Sequence, residues 1–238
     1  MTDPAPIEAA PSKSGAWLAF RVFDEPTRVF RELATSPRYL VPLICVVVVA
    51  ALYALATPAE VLVDQARDQI QPFIERGQIT EEEAAQQIEG AASTGRRALM
   101  FAGGAIAGPI VLLVVAGVLT LIFNAMGTEP VGFKREFSIV LHANMVALAG
   151  TVLTVLLMLL IDMRQPISLG FLFPEDSGFL YRYANQVTLF GAWDVFLLAL
   201  GNTILTKAKG IAGALAVIGI LWLLVKIPFA FLGGLFGS

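Results

Sequence analysis

The chain has 238 residues, of which 57% are hydrophobic and 15% charged, with a net charge of −3 and a mean hydropathy of +0.75. A water-soluble domain carries about 25% charged and under about 50% apolar residues, so part of this surface meets lipid. Near-neutral charge with no basic stripe excludes a nucleic-acid binder, and a single cysteine (Cys45) with a single histidine excludes an internal disulfide and zinc-ligand spacing.

In chain order, "MTDPAPIEAAPSKS" (1–14) is rich in Pro, Ala and Ser and reads as a disordered cytoplasmic tail. Residues 15–38 form an amphipathic region. Trp17, Phe20 and Phe23 suit a headgroup boundary, and Asp24 and Pro26 open a helix. Val22, Pro26, Val29, Phe30, Leu33 and Pro37 recur at steps of three and four, giving one apolar stripe with Arg28, Arg31 and Glu32 off it. The segment is expected to lie flat on the inner leaflet. In "SPR", Ser36 caps the next helix and Pro37 forces a corner.

A bilayer core of about 30 Å needs about 20 apolar helical residues. Five stretches qualify, 39–58, 99–125, 137–161, 186–205 and 210–234, the fourth interrupted by Asp194. The first begins after 38 residues, so it is a retained anchor and not a cleaved signal. The predicted fold is therefore all-α and polytopic, a five-span membrane domain over 39–238. Residues 59–98, between the first two spans, form an acidic helical hairpin, with a capping box in "TEEE" (Thr80, Glu83) and a helix stop at Gly77. One side of the membrane gains Lys13, Arg21, Arg28, Arg31, Arg38, Lys134, Arg135, Lys207 and Lys209; the other gains Arg67, Arg76, Arg96, Arg97, Arg164 and Arg182. The positive-inside rule puts the N-terminus in the cytoplasm, with the hairpin and the C-terminus outside a bacterial inner membrane.

The second span holds Gly104 and Gly108, four apart, followed by Pro109. That spacing lets helices approach closely, within the chain or between two copies, and the proline predicts a kink. Asp194 and Lys226, in the last two spans, count to equal depths of about 12 Å below the outer boundary and are expected to pair. Asn124, His142, Asn144 and Asn202 count to one layer near the inner boundary, where they would hydrogen-bond across helices.

"PTRVFRELATSPRYLVPL", "MGTEPVGFKREFSIVLHANMV" and "LFGAWDVFLLALGNTILTKAKGIAGALAVIGILWLL" together resemble the Yip family, membrane proteins named for interacting with Ypt/Rab GTPases, and within it the prokaryotic branch. The resemblance spans 23–230 and implies five spans with a cytoplasmic N-terminus. Eukaryotic relatives are linked to vesicle trafficking and prenylated small GTPases, but their "DLYGP"-like signature has no counterpart here, so GTPase binding is not carried over. Asp194 and "LHANMV" depart from the family's small and proline residues.

Enzyme templates fail. There is no phosphate loop, no paired histidines and no serine elbow, and Ser138 is the only serine in the span of His142. No catalytic, metal or cofactor residues are assigned. The expected role is a non-enzymatic scaffold contacting the bilayer and other membrane proteins, with homo-oligomerisation open. The alternatives are a transporter component and a sensor using the 59–98 hairpin.

Overall fold

The computed structural model describes residues 14–126, 129–161, 163, 167–174 and 177–236, and its regular elements are all helical. The amino-terminal tail up to Lys13, and Arg164, lie outside the described residues. In chain order the helices are α1 (Gly15–Arg21), α2 (Pro26–Thr35), α3 (Leu40–Ala56), α4 (Ala59–Glu75), α5 (Glu81–Gly90), α6 (Thr94–Ala102), α7 (Gly108–Ala125), α8 (Phe133–Ala143), α9 (Met145–Ile161), α10 (Phe179–Asn185), α11 (Leu189–Leu205) and α12 (Ala212–Phe236). A π-helical turn, Gly103–Ala107, joins α6 to α7.

Three continuous helical runs are long and apolar enough to cross a membrane: Thr94–Ala125, Phe133–Ile161 and Ala212–Phe231. The other two apolar helices, α3 and α11, have 17 residues each. At about 1.5 Å per residue they reach about 25 Å, a little under the hydrocarbon thickness. The chain turns by 88° between α3 and α4. Side chains such as Leu55, Leu121 and Leu160 stay over 70% exposed, as expected of an outer surface that meets lipid.

The amphipathic helix is present, but its apolar face does not lie on lipid. Val22, Val29, Phe30 and Leu33 are 0% exposed within the protein, because α2 packs into the groove between α8 and α11. Phe23 meets Trp193 of α11 edge-to-face at 6.1 Å. The Trp17 ring lies under the guanidinium of Arg28 at 5.0 Å, Pro26 and Pro37 are half-buried, and Phe20 alone of the proposed interfacial aromatics is largely exposed. A three-four stripe records only that one face is apolar, and protein satisfies it as well as lipid does.

Capping at this end also differs from expectation. Glu25, not Asp24, occupies the N-cap position of α2, and its side chain does not cap the backbone N–H groups of the first turn. Asp24 pairs with Arg21 at 2.7 Å. Ser36 closes α2 instead of opening α3, which starts at Leu40.

At the far end of α3 the hairpin forms as the sequence reads. Thr80 and Glu83 make the reciprocal capping box, and Gly77 adopts a φ of +66° that favours glycine. Arg97 of α6 donates to the carbonyls of Ala54 (2.8 Å) and Thr57 (2.9 Å), satisfying acceptors that the end of α3 leaves open.

Glycines set the close helix approaches. A Cβ on Gly104 would sit 2.8 Å from Ala50 Cβ, and one on Gly108 would sit 3.3 Å from Val46, so this pair seats the second span against α3. The irregularity expected at Pro109 takes the form of the π turn just before it, which widens the helix where the ring would crowd the preceding turn. A Cβ on Gly201 would clash with Ile139, whereas Gly117 faces open space.

Gly201→Ala is therefore expected to destabilise the detergent-solubilised protein by about 1–3 kcal/mol. Gly117→Ala should be neutral or stabilising by up to about 1 kcal/mol; the order of the two melting temperatures checks this. Glu83 is held below the usual carboxylate range by the backbone N–H and hydroxyl of Thr80. A depressed folded-state pKa gives stability that is present above the ordinary value near 4.5 and is lost as pH falls through the folded one. Hydrogen-exchange protection in the first turn of α5 should thus fall in acid, and Glu83→Gln should remove most of that pH dependence.

Candidate functional site

The densest set of buried polar groups lies where the α2–α3 corner meets α8 and the end of α11. The Ser138 hydroxyl accepts from the Arg38 N–H at 2.9 Å and donates to the Arg38 carbonyl at 2.8 Å. One side chain so satisfies both backbone groups of a residue that lies between two helices. Tyr39 donates from its hydroxyl to the Lys134 carbonyl at 3.0 Å. Its ring stacks on Phe137 at 5.6 Å, and Phe137 stacks in turn on Phe133.

On the neighbouring face of α8, Glu136 is 0% exposed. Asn202 of α11 donates from Nδ2 to Glu136 Oε1 at 3.0 Å, and to its own-helix Leu198 carbonyl at 3.0 Å. Glu136 Oε2 and Asn202 Oδ1 are buried without a protein partner. This glutamate was missed in the sequence. It looked like one more flanking charge in "FKREF", yet with Ile139, Val140 and Ala143 it occupies a three-four-seven stripe, and that spacing could have found it.

The four residues expected to share one polar layer do not all meet. Asn202 bonds to Glu136. Asn124 braces its own connection, accepting from the Val131 N–H at 2.8 Å and donating to the Val131 carbonyl at 3.2 Å. His142 is 0% exposed and donates from Nδ1 to the Ser138 carbonyl at 2.8 Å, leaving Nε2 buried without a partner. Asn144 lines a separate cleft with Gly104 and Tyr53. Depth counting put them at one level, but rotation about each helix axis decides which neighbour each side chain faces.

The proposed ion pair is not formed. Lys226 Nζ sits 4.6 Å from the ring centroid of Trp222 on its own helix, and Asp194 Oδ1 is enclosed without a hydrogen-bond partner. The helices α11 and α12 are packed neighbours, as expected. From their shared turn, however, Asp194 lies 11 residues along α11 (205 − 194) and Lys226 lies 14 along α12 (226 − 212), an offset of about 4.5 Å. A cation over an aromatic face is the arrangement that remains within reach.

These connections do not build a nucleophile and base. The Ser138 hydroxyl is engaged by the Arg38 backbone, and His142 bonds the Ser138 carbonyl instead of that hydroxyl. Among the described residues no group of three or more His, Cys, Asp or Glu side chains is placed to hold a metal. The arrangement locks the α2–α3 corner to α8 and α8 to α11.

The model of the Yip1 domain family matches residues 20–232, so it takes in α2, this junction and the helices from α3 into α12. No curated protein and no solved structure matches the chain significantly.

Removing the Asn202 donor strands a buried carboxylate, so Asn202→Leu should cost about 2–5 kcal/mol, whereas Asn202→Leu combined with Glu136→Leu should recover much of that loss. A double-mutant cycle on melting in detergent measures the recovery; strictly additive losses would show that the two side chains do not depend on one another.

Proposed function

We propose that this chain, which belongs to the Yip1 domain family, is a non-enzymatic integral membrane scaffold that positions partner proteins at the two faces of a bacterial inner membrane. Its membrane domain crosses five times, with α3 and α11 as the short crossings, so the N-terminus is cytoplasmic and the C-terminus outside. The observation that carries the reading is the unlike charge at the two ends of one helical bundle.

At the α2 end, Arg28, Arg31, Lys134 and Arg135 are exposed. At the hairpin end, Glu81, Glu82 and Glu89 are exposed on α5. By the positive-inside rule the α2 end faces the cytoplasm. Because the apolar face of α2 is taken up by α8 and α11, its basic face is held as a fixed surface, suited to acidic partners or anionic headgroups. The hairpin presents an acidic surface to the other side. Its apolar residues Val61, Leu62 and Ala84 are buried, so charge and shape, and not grease, would select what binds there.

A second reading, a transporter component, draws on one observation: Asp194 is an enclosed carboxylate in an apolar helix, and ionisable groups at such positions often line ion paths.

The test has two arms. Cysteines introduced at Arg31 and Glu82 are labelled in intact cells with a membrane-impermeant reagent, and only the second should react. Crosslinking from native membranes then compares the wild type with Glu81→Gln, Glu82→Gln, Glu89→Gln. A stoichiometric partner lost from the variant supports the scaffold, whereas a partner-free chain stabilised by a small solute favours transport.

A further inference from the structure

A cleft of about 460 Å³ opens between α3, α4, α9 and α11. Its floor is the small-residue face of α9, where Ala147, Gly150, Thr151 and Thr154 lie between Tyr53 of α3 and Phe190 of α11. The Thr151 and Thr154 hydroxyls donate to the carbonyls of Ala147 and Gly150 one turn back, so they leave the floor without free donors. From Ala147 to Met158 this floor runs for about 16 Å, and no charged side chain lines it.

The mouth is different. Tyr53 is three residues from the end of α3, Gln65 lies on α4, which crosses that end at 88°, and Thr188 caps α11. Among the described residues the Tyr53 hydroxyl and the Gln65 amide make no hydrogen bond. The Thr188 oxygen accepts from the Gly191 N–H at 3.0 Å, which leaves its O–H to donate elsewhere. Three unengaged donors thus line the same cleft as the apolar trench. A second cleft of about 400 Å³, floored by Gly104 and Gly108, shares Tyr53 and Thr151 with the first. Tyr53 stands between the two.

We propose that this pair of clefts holds one diacyl glycerophospholipid, its two chains on either side of Tyr53 and its ester carbonyls accepting from Tyr53, Gln65 and Thr188. An occupant that is apolar for most of its length, uncharged within the cleft and equipped with acceptors at the mouth matches this lining. The ester linkage of a diacyl lipid is an acceptor without a donor, which complements a mouth that offers donors. A free fatty acid would bring a carboxylate into a cleft that has no cation to receive it.

The experiment is native mass spectrometry of the full chain purified in mild detergent and supplied with a diacyl phospholipid or with its diether analogue of equal chain length. The wild type is expected to retain about one diacyl lipid per chain and at least fivefold less of the diether lipid, which lacks the carbonyls. Ala147→Phe, which fills the trench, should lower diacyl retention at least fivefold. Tyr53→Phe with Gln65→Leu keeps the shape and removes donors; it should do the same, and it carries the test if Ala147→Phe does not fold. Absence of retained lipid in the wild type, equal retention of the diester and diether forms, or undiminished retention in the Tyr53→Phe, Gln65→Leu protein would each overturn the proposal.

Discussion

The clasp between Ser138 and the backbone of Arg38 is the contact on which the arrangement of this end of the molecule rests. Residues 36–39 leave helix to turn a corner, and in a membrane protein a turn exposes N–H and C=O groups that lipid cannot satisfy. Ser138 supplies both a donor and an acceptor to the same residue, and the Tyr39 hydroxyl satisfies a carbonyl in the first turn of α8. From this corner α2 runs along the groove between α8 and α11, and its apolar stripe is buried there.

This geometry changes what the amphipathic helix is for. Had its apolar face lain in lipid, α2 would be a reversible membrane contact, sensitive to curvature and composition. Buried in protein, it is a structural strut, and its exposed basic face becomes part of the surface that the bundle displays. Glu25 binds it further to α1: its carboxylate accepts from Arg28 and Arg21 and is held below the usual range by those bonds. At the other end Arg97 serves a comparable purpose, joining α6 to the open carbonyls of α3 and so fixing the hairpin relative to the spans.

The polar groups inside the bundle divide into two kinds. Ser138, Asn124 and Tyr39 satisfy backbone at connections, so their chemistry is consumed by the fold. Glu136, Asn202, His142 and Asp194 each keep a buried atom without a protein partner, which is costly in a low-dielectric interior. Tyr53, Gln65 and Thr188 around the α9 cleft form a third set, half-buried or exposed and not enclosed by protein.

Composition and helical periodicity settled the class of molecule. An all-α membrane fold, the acidic hairpin with its Thr80–Glu83 box and the stop at Gly77 were all legible, because each is written in local chemistry that acts within a turn or two. The closeness of Gly104 and Gly108 to a neighbouring helix was legible for the same reason, although the choice of α3 as that neighbour was not. What lay beyond local reach was decided by tertiary structure: that the α2 stripe faces protein, that Glu136 and not His142 meets Asn202, and that Lys226 turns to Trp222 instead of Asp194. A sequence gives the depth of a residue along its helix to within a few ångströms, but the rotation and relative shift of packed helices come from the side chains of both partners. A one-turn offset or a quarter rotation is enough to exchange one partner for another.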